Sequence, residues 1–332
     1  MLRKTYLLVF LFFSASIFAN EALEKAFQLA AQKVKNSVVQ LQVEAVPIRP
    51  RRSFHFFRTN PRGSGDVRYL ARRTVSGLVV DASGYILTDA NHLAGKVRRV
   101  EVILPSGKRL RAKVLGQDLR FNLALLQVSS SKPLPVPSWG NSQNLKVGNF
   151  VLAIGKAYDY RSPSVSWGIV SALDRFSGRC LQTDAPISPA NTGGALVNLE
   201  GKVVGIPVIM STRVGVNSGI GFAIPTHIFQ KLLPHLKKPG IVKPAFLGVS
   251  FSIGQAPQGV KLETVVPNSA AQKAGLKPGD YLLTVNGQKL KSGLDLRKIL
   301  LNKVAGEEIT LTYRRGKETH QIRLKLGQRP RS

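Results

Sequence analysis

The chain has 332 residues, enough for two domains, and 43% of them are hydrophobic, enough for real cores, which excludes a disordered tail or a small stapled peptide. Lys and Arg number 48 against 18 Asp and Glu, a net charge of +30, which excludes an acidic solvating protein. A single cysteine, Cys180, allows no intramolecular disulfide, and no Cys/His cluster has zinc-site spacing, so neither a metal nor a cofactor is expected.

Arg3 and Lys4 precede an apolar run from Tyr6 to Phe18, and Ala19-Asn20-Glu21 sets a small residue before a polar start. A membrane span needs about 20 apolar residues, so 1–19 reads as a secretory signal peptide, with an uncleaved anchor as the alternative. Residues 20–73 form an N-terminal segment. Ala22 to Lys35 carries Leu23, Phe27, Leu29, Ala30 and Val34 at helical spacing, and Val38 to Val43 reads as a strand. The remainder, 46–73, has loop composition with a basic arm in which Arg49, Arg51, Arg52 and Arg58 surround Phe54, Phe56 and Phe57. Its Pro and Gly interruptions favour a solvated loop, or an arm packing on another subunit, over a specific nucleic-acid site. Positive charge is spread along the whole chain, which by itself predicts only weak attraction to polyanions or membrane surfaces.

Short strand patterns follow from 74 to 238: 75–80, 85–88, 100–104, 112–115 and 123–128, then, past a Pro/Ser-rich stretch at 129–138, 150–154, 165–172, 196–199, 203–209 and 221–224. That cadence is mainly β, a barrel or sandwich. Thr226 to Leu236 reads as a helix with Thr226 as its N-cap, and Cys180 as a buried small apolar residue. After Lys237-Lys238-Pro239-Gly240 a compact α+β module occupies 245–328, with strands at 247–251, 260–265, 281–285 and 309–314 and helices near 269–274 and 293–301.

Ala190-Asn191-Thr192-Gly193-Gly194 carries the chemistry. A hydroxyl residue followed by two glycines, ahead of an apolar strand, suits a tight turn that presents an oxygen nucleophile beside free backbone N–H groups. With Gln182-Thr183-Asp184-Ala185 before it and Gly219-Ile220-Gly221-Phe222-Ala223-Ile224-Pro225 after it, the stretch resembles the HtrA/Deg family of exported trypsin-like serine proteases. Ile86-Leu87-Thr88, Asn122-Leu123-Ala124-Leu125 and Val151-Leu152-Ala153-Ile154-Gly155 extend the resemblance. Phe246-Leu247-Gly248-Val249 and Ala274-Gly275-Leu276-Lys277-Pro278-Gly279-Asp280 resemble that family's PDZ domain. The resemblance implies a double six-stranded β-barrel, one PDZ domain, and capture of C-terminal peptides by backbone N–H groups and strand addition at Phe246, Leu247, Gly248 and Val249. It also implies a periplasmic location and a homo-trimer, or a mixed assembly with an active relative.

Carried onto this chain, the family's catalytic triad is degenerate. Thr192 replaces the serine, and Ala190 replaces a glycine at one of two oxyanion amides, the other being that of Thr192. Asn122 replaces the aspartate that orients the base, a change that costs about 10⁴ in rate in trypsin-type enzymes. The base position is His92 counted from Ser106-Gly107 and Asn91 counted from Thr88, and both assignments stay open. The segment 174–180 is shorter than the family's regulatory loop, and Pro207 lacks an N–H in a strand expected beside the substrate. Three readings follow: a pseudoprotease that binds C-terminal peptides or unfolded envelope proteins as regulator, adaptor or holdase; a slow endopeptidase using Thr192 and His92; or a basic scaffold that binds polyanions.

Overall fold

The computed structural model describes residues 21–46, 71–210 and 219–328. The signal or anchor segment 1–19 and the basic arm around Arg49 to Arg58 lie outside the described residues. The chain divides into two compact units, one comprising Met1–Leu173 with Leu181–Gly240, the other Ile241–Ser332 with Asp174–Cys180.

The first unit opens with helix α1 (residues 21–34), whose Ala30 and Val34 are fully buried. Phe27 on the same helix packs 5.9 Å from Phe150 and 5.6 Å from Trp167, ring centre to ring centre. Six strands follow: β1 (Val38–Val46), β2 (Ala71–Asp81), β3 (Tyr85–Asp89), β4 (Lys96–Ile103), β5 (Arg109–Asp118) and β6 (Leu123–Val128). They run in the order β5-β4-β1-β2-β3-β6, and β5 pairs with β6 to close the barrel. Alternation sends Leu41 and Val43 of β1, Val100 and Val102 of β4, and Ala124 and Leu126 of β6 into one core. Strand β2 starts four residues before the expected Val75. Its first turn is held by pairing Arg72 opposite Glu44, an ion pair at 3.0 Å.

The second barrel comprises β7 (Phe150–Gly155), β8 (Ser164–Arg175), β9 (Cys180–Thr183), β10 (Ala195–Val197), β11 (Val203–Val208) and β12 (Gly221–Pro225), closed in the order β10-β11-β12-β9-β8-β7. Val151, Ala153, Val170, Leu181, Leu196, Val204 and Ala223 fill it. Cys180 is fully buried, and burial pushes its thiol up to about 12. Helix α2 (Thr226–Leu236) ends the unit. Thr226 is not its N-cap. Pro225 holds that position without a side-chain bond, because the buried Thr226 hydroxyl donates instead to the Gly140 carbonyl at 2.9 Å. The end of α2 lies directly on β5, where a Cβ added to Gly116 would sit 2.2 Å from the Leu236 carbonyl oxygen.

The second unit pairs Val260–Lys261, Tyr281–Val285, Glu308–Arg315 and Glu318–Lys325 antiparallel along one sheet, with Val249–Ser250 and Thr264–Val265 as a separate ribbon. The strand expected at 260–265 splits because Leu262 turns aside to exchange backbone hydrogen bonds with the 279–280 loop. Helices α3 (Ala270–Lys273) and α4 (Gly293–Leu301) cover the sheet's core, the latter started by a capping box of Ser292 and Asp295.

Gly116→Ala should force α2 off β5 and lower the unfolding free energy by about 1–3 kcal/mol. Urea denaturation measures it; a midpoint unchanged from the parent would mean that β5 and α2 are not held this closely.

Candidate active site

The turn from Ser188 to Gly194 leads into β10 and presses against the first barrel. Gly193 has φ +77°, and a Cβ there would meet Ser76 O at 2.5 Å and Thr88 Oγ1 at 2.6 Å, so no larger residue fits. Ser76 Oγ donates to Ala190 O at 2.6 Å and accepts the Lys156 N–H at 2.7 Å, joining β2 to the turn. The result is that Thr192, with no exposed surface, faces the 3₁₀ turn Ala90–Leu93 that follows β3.

His92 lies on that turn, 5% exposed, with Nε2 2.9 Å from Thr192 Oγ1. Asn91 points elsewhere, its Nδ2 donating to Ile209 O at 3.0 Å. Of the two residues left open by the sequence, His92 is therefore the one beside the hydroxyl. Asn122 does not fill the orienting position expected of it. It sits in left-handed backbone at φ 50°, its carbonyl accepts the Ala90 N–H, and its Nδ2 donates to Ile209 O at 2.8 Å. Among the described residues, nothing hydrogen-bonds His92 Nδ1.

Nε2 has two neighbours, Thr192 Oγ1 and, at 3.2 Å, Thr192 O. Their roles follow the tautomer: Nε2 accepts from the threonine hydroxyl in one, and in the other it donates to the Thr192 carbonyl while the hydroxyl reaches Pro189 O at 3.4 Å. Burial holds the ring pKa down at about 4, helped by the Arg73 charge and opposed by the bond to Thr192 O. Arg73 is placed there by donating to the carbonyls of His92 (3.3 Å) and Ala94 (3.0 Å).

A buried acid lies three residues upstream. Asp89 accepts the Asn91 N–H (2.8 Å) on one oxygen and the Ile209 N–H (2.7 Å) on the other, so it caps the 3₁₀ turn and ties it to the end of β11. Burial raises its carboxyl to about 6 against those hydrogen bonds. Each of its oxygens thus accepts a backbone amide.

Both amides expected to receive an oxyanion are turned inward. Ala190 N–H donates to Ser188 Oγ at 3.2 Å, and Thr192 N–H donates to Ser188 O at 3.1 Å. Asn191 locks the turn, its Oδ1 accepting the Ser188 N–H (2.9 Å) and its Nδ2 donating to Pro186 O (2.8 Å). Ser188 went unnoticed in the sequence; a Ser-Pro step opening a turn was its only signal. Pro207, expected beside a substrate strand, pairs with Ala223 of β12 and accepts the Gly193 N–H at 2.8 Å.

In the second unit, Gly248 has φ +86°, and its carbonyl accepts the Val266 N–H at 2.8 Å. The amides of Leu247 and Gly248 donate to no backbone carbonyl among the described residues, whereas that of Phe246 is taken by Gly327 O at 3.0 Å. Val249 pairs with Val265 on one side only. Two free N–H groups at a left-handed glycine beside an open strand edge form an anion-accepting nest. Among the described residues no group of three or more His, Cys, Asp or Glu could hold a metal ion.

The two buried titrating groups pull stability in opposite directions. His92, lowered from 6.5 to about 4, contributes stability that is full above pH 6.5 and lost as the pH falls through 4. Asp89, raised from 3.8 to about 6, contributes stability that is full below pH 3.8 and lost as the pH rises through 6. In His92→Ala only the second remains, so the parent's stability advantage over the variant should shrink by up to about 3 kcal/mol between pH 6.5 and pH 4. Denaturant titrations across that range, with the ring titration followed by NMR, check this; a His92 ring that titrates near 6.5 would contradict it.

The trypsin-like peptidase domain family matches residues 75–206, and the PDZ domain family matches residues 245–326. A Haemophilus influenzae protein named "Probable periplasmic serine protease do/HhoA-like" is 36% identical over 283 residues, covering 80% of this chain and 60% of the relative. A Pseudomonas fluorescens protein named "Probable periplasmic serine endoprotease DegP-like" is 34% identical over 320 residues, 91% of this chain and 66% of the relative. The chain thus spans about two thirds or less of the length of these relatives. The solved structure titled "HtrA-type protease AlgW with decapeptide" superposes with TM-score 0.68 at 26% identity, covering 92% of this chain and 99% of that one. A trypsin-like double barrel followed by a single PDZ domain, with these relatives, makes the chain a member of the HtrA/DegP family of serine proteases.

Proposed function

We propose that this chain is an exported, periplasmic HtrA-type pseudoprotease that binds C-terminal peptides or unfolded envelope proteins as a regulator, adaptor or holdase. The observation that carries this reading is the double hydrogen bond to Ser188: the amides of Ala190 and Thr192, the two donors a tetrahedral intermediate requires, are occupied by the protein itself. Losing one oxyanion donor costs other serine proteases about 10²–10³ in turnover. Turning the 189–190 peptide outward carries Ala190 toward left-handed angles, which cost an L-residue about 1–2 kcal/mol and glycine almost nothing. The base is equally unsuited, because burial holds its ring pKa down at about 4 and no carboxylate among the described residues stabilises the imidazolium that proton abstraction would form. Peptide capture is supported by the free amides of Leu247 and Gly248 and the open edge at Val249.

One observation favours the rival reading of a slow endopeptidase, with Thr192 as nucleophile and His92 as base: their 2.9 Å approach. Self-association into a homo-trimer, or assembly with an active relative, belongs to the same proposal; Trp167, 59% exposed beside Phe27 and Phe150, offers an aromatic surface for it.

Degradation of casein separates the readings. The parent protein is expected to cleave no faster than Thr192→Ala or His92→Ala, while the combined Ala190→Gly, Asn122→Asp and Thr192→Ser variant should gain at least about a hundredfold over it. Parent activity abolished by both single substitutions would overturn the pseudoprotease reading and leave the endopeptidase. Peptides with a free C-terminal carboxylate should bind at least about tenfold more tightly than their amidated forms; equal affinities would remove the PDZ loop as the capture site.

A further inference from the structure

The second barrel holds a cavity of about 400 Å³ at the end of the β7–β10 pair away from Thr192. Ala195, next to the Thr192 turn, pairs with Ile154, and Val197 pairs with Leu152; the cavity opens beyond them, at Phe150 and Asn198. Its volume falls in the range of small-molecule sites, about 300–1,000 Å³. Leu145 and Val204 are its buried part, and Phe150 stands half-buried in the wall. The chain carries a net charge of +30, yet no Lys or Arg lines this cavity, whereas four of the chain's 14 asparagines do: Asn141, Asn144, Asn149 and Asn198.

The backbone sets how these amides face. Asn141 Oδ1 accepts the Gln143 N–H at 3.0 Å, Asn149 Oδ1 the Lys146 N–H at 2.8 Å, and Asn198 Oδ1 the Lys202 N–H at 3.0 Å. A backbone N–H can meet only the oxygen end of an amide, so the amino ends are the ones left over. Asn141 Nδ2 reaches Asn144 Oδ1 at 3.4 Å, and the Nδ2 groups of Asn144, Asn149 and Asn198 meet no acceptor among the described residues. Turn chemistry explains the oxygens but not the amino groups, since aspartate or serine closes such turns as well and brings no amide donor.

The wall therefore offers donors without positive charge, and that narrows the ligand. A metal ion needs oxygen ligands, and here the asparagine oxygens are engaged by N–H groups. An anion would meet Glu200, the one charged side chain in the wall, whose carboxyl is held below the usual carboxylate range by Lys202 at 2.7 Å. A peptide backbone alternates C=O with N–H, and with the asparagine oxygens engaged only Glu200 among the wall's side chains is placed to accept from the second. Sugar hydroxyls satisfy both kinds of group: each can accept from an asparagine Nδ2 and donate to Glu200, while the C–H face of the ring covers Phe150. We propose that this cavity binds a pyranose segment of a neutral glycan. Acetamido sugars and plain hexoses share the chemistry that it recognises. The contact is separate from the Thr192 site and from the peptide loop at Phe246 to Val249, so it stands or falls without them.

The test is calorimetric titration of the full chain with chitotriose, which carries acetamido groups, and with cellotriose, which carries none. Saturable binding of at least one of them at about 10 mM is expected, an affinity in the millimolar range or better, and the tighter one identifies the sugar class. Aspartate keeps an oxygen for the backbone N–H and removes the donor, so Asn149→Asp combined with Asn198→Asp should weaken binding at least about tenfold. Asn144→Asp alone should weaken it about threefold, and it leaves the turns untouched because Asn144 Oδ1 serves no backbone N–H. In the second unit, Asn268→Asp with Asn286→Asp adds the same charge as the double cavity variant and should stay within about twofold of the parent. Equal losses in the two double variants, no loss in either cavity variant, or no binding of either sugar would overturn the proposal. Tighter binding at the same asparagines by a neutral peptide, acetylated and amidated at its ends, would give the cavity to a peptide main chain and overturn it as well.

Discussion

How tightly the Ser188–Gly194 turn is pressed into the seam between the two barrels governs the rest of the site. At Gly193 the backbone has no room for a single carbon, with Ser76 O and Thr88 Oγ1 closing on it from β2 and β3. Ser76 then spans the seam through its hydroxyl, gripping Ala190 O on one side and the Lys156 N–H on the other. With the turn's carbonyls held outward to the first barrel, its amides fold back on Ser188. The inward amides and the burial of Thr192 are thus two results of one close contact. Changing Thr192 to serine alone would leave that contact in place, which is why the restored variant also changes Ala190.

Burial then decides the electrostatics. A low-dielectric seam disfavours charge on either sign of group, so His92 is held neutral and Asp89 is pushed toward protonation. In a working triad the same burial is offset by pairing acid with base, and each keeps the other charged when needed. Here the acid spends both oxygens on backbone amides, and the amide of Asn122 reaches a carbonyl. The acid and the amide are each satisfied by backbone groups, and neither hydrogen-bonds His92. Such an arrangement suits a stable seam better than one that must pass a proton.

Much of this was legible in the sequence, for identifiable reasons. The Thr192-Gly193-Gly194 string announces its turn because glycine there answers a steric need that no other residue meets. The barrel strands announce themselves by alternation. The choice between His92 and Asn91 was not legible, since one inserted residue gives two registers; Asp89 resolves it by capping a 3₁₀ turn that takes up the extra residue. The orientation of Asn122 was hidden too, because an amide follows the nearest acceptor, and Ile209 O comes from a strand far away in sequence. Thr226 misled for a related reason: a good capping residue was claimed by the Gly140 carbonyl.

Cys180 has a consequence for how copies of this protein can associate. Its sulfur is the only one able to form a disulfide, it has no exposed surface in β9, and burial keeps the thiolate scarce. Even in an oxidising compartment the chain cannot cross-link to itself or to a partner without first opening its second barrel. Any assembly it enters is held by non-covalent contact alone, so its stability depends on the concentration of its subunits.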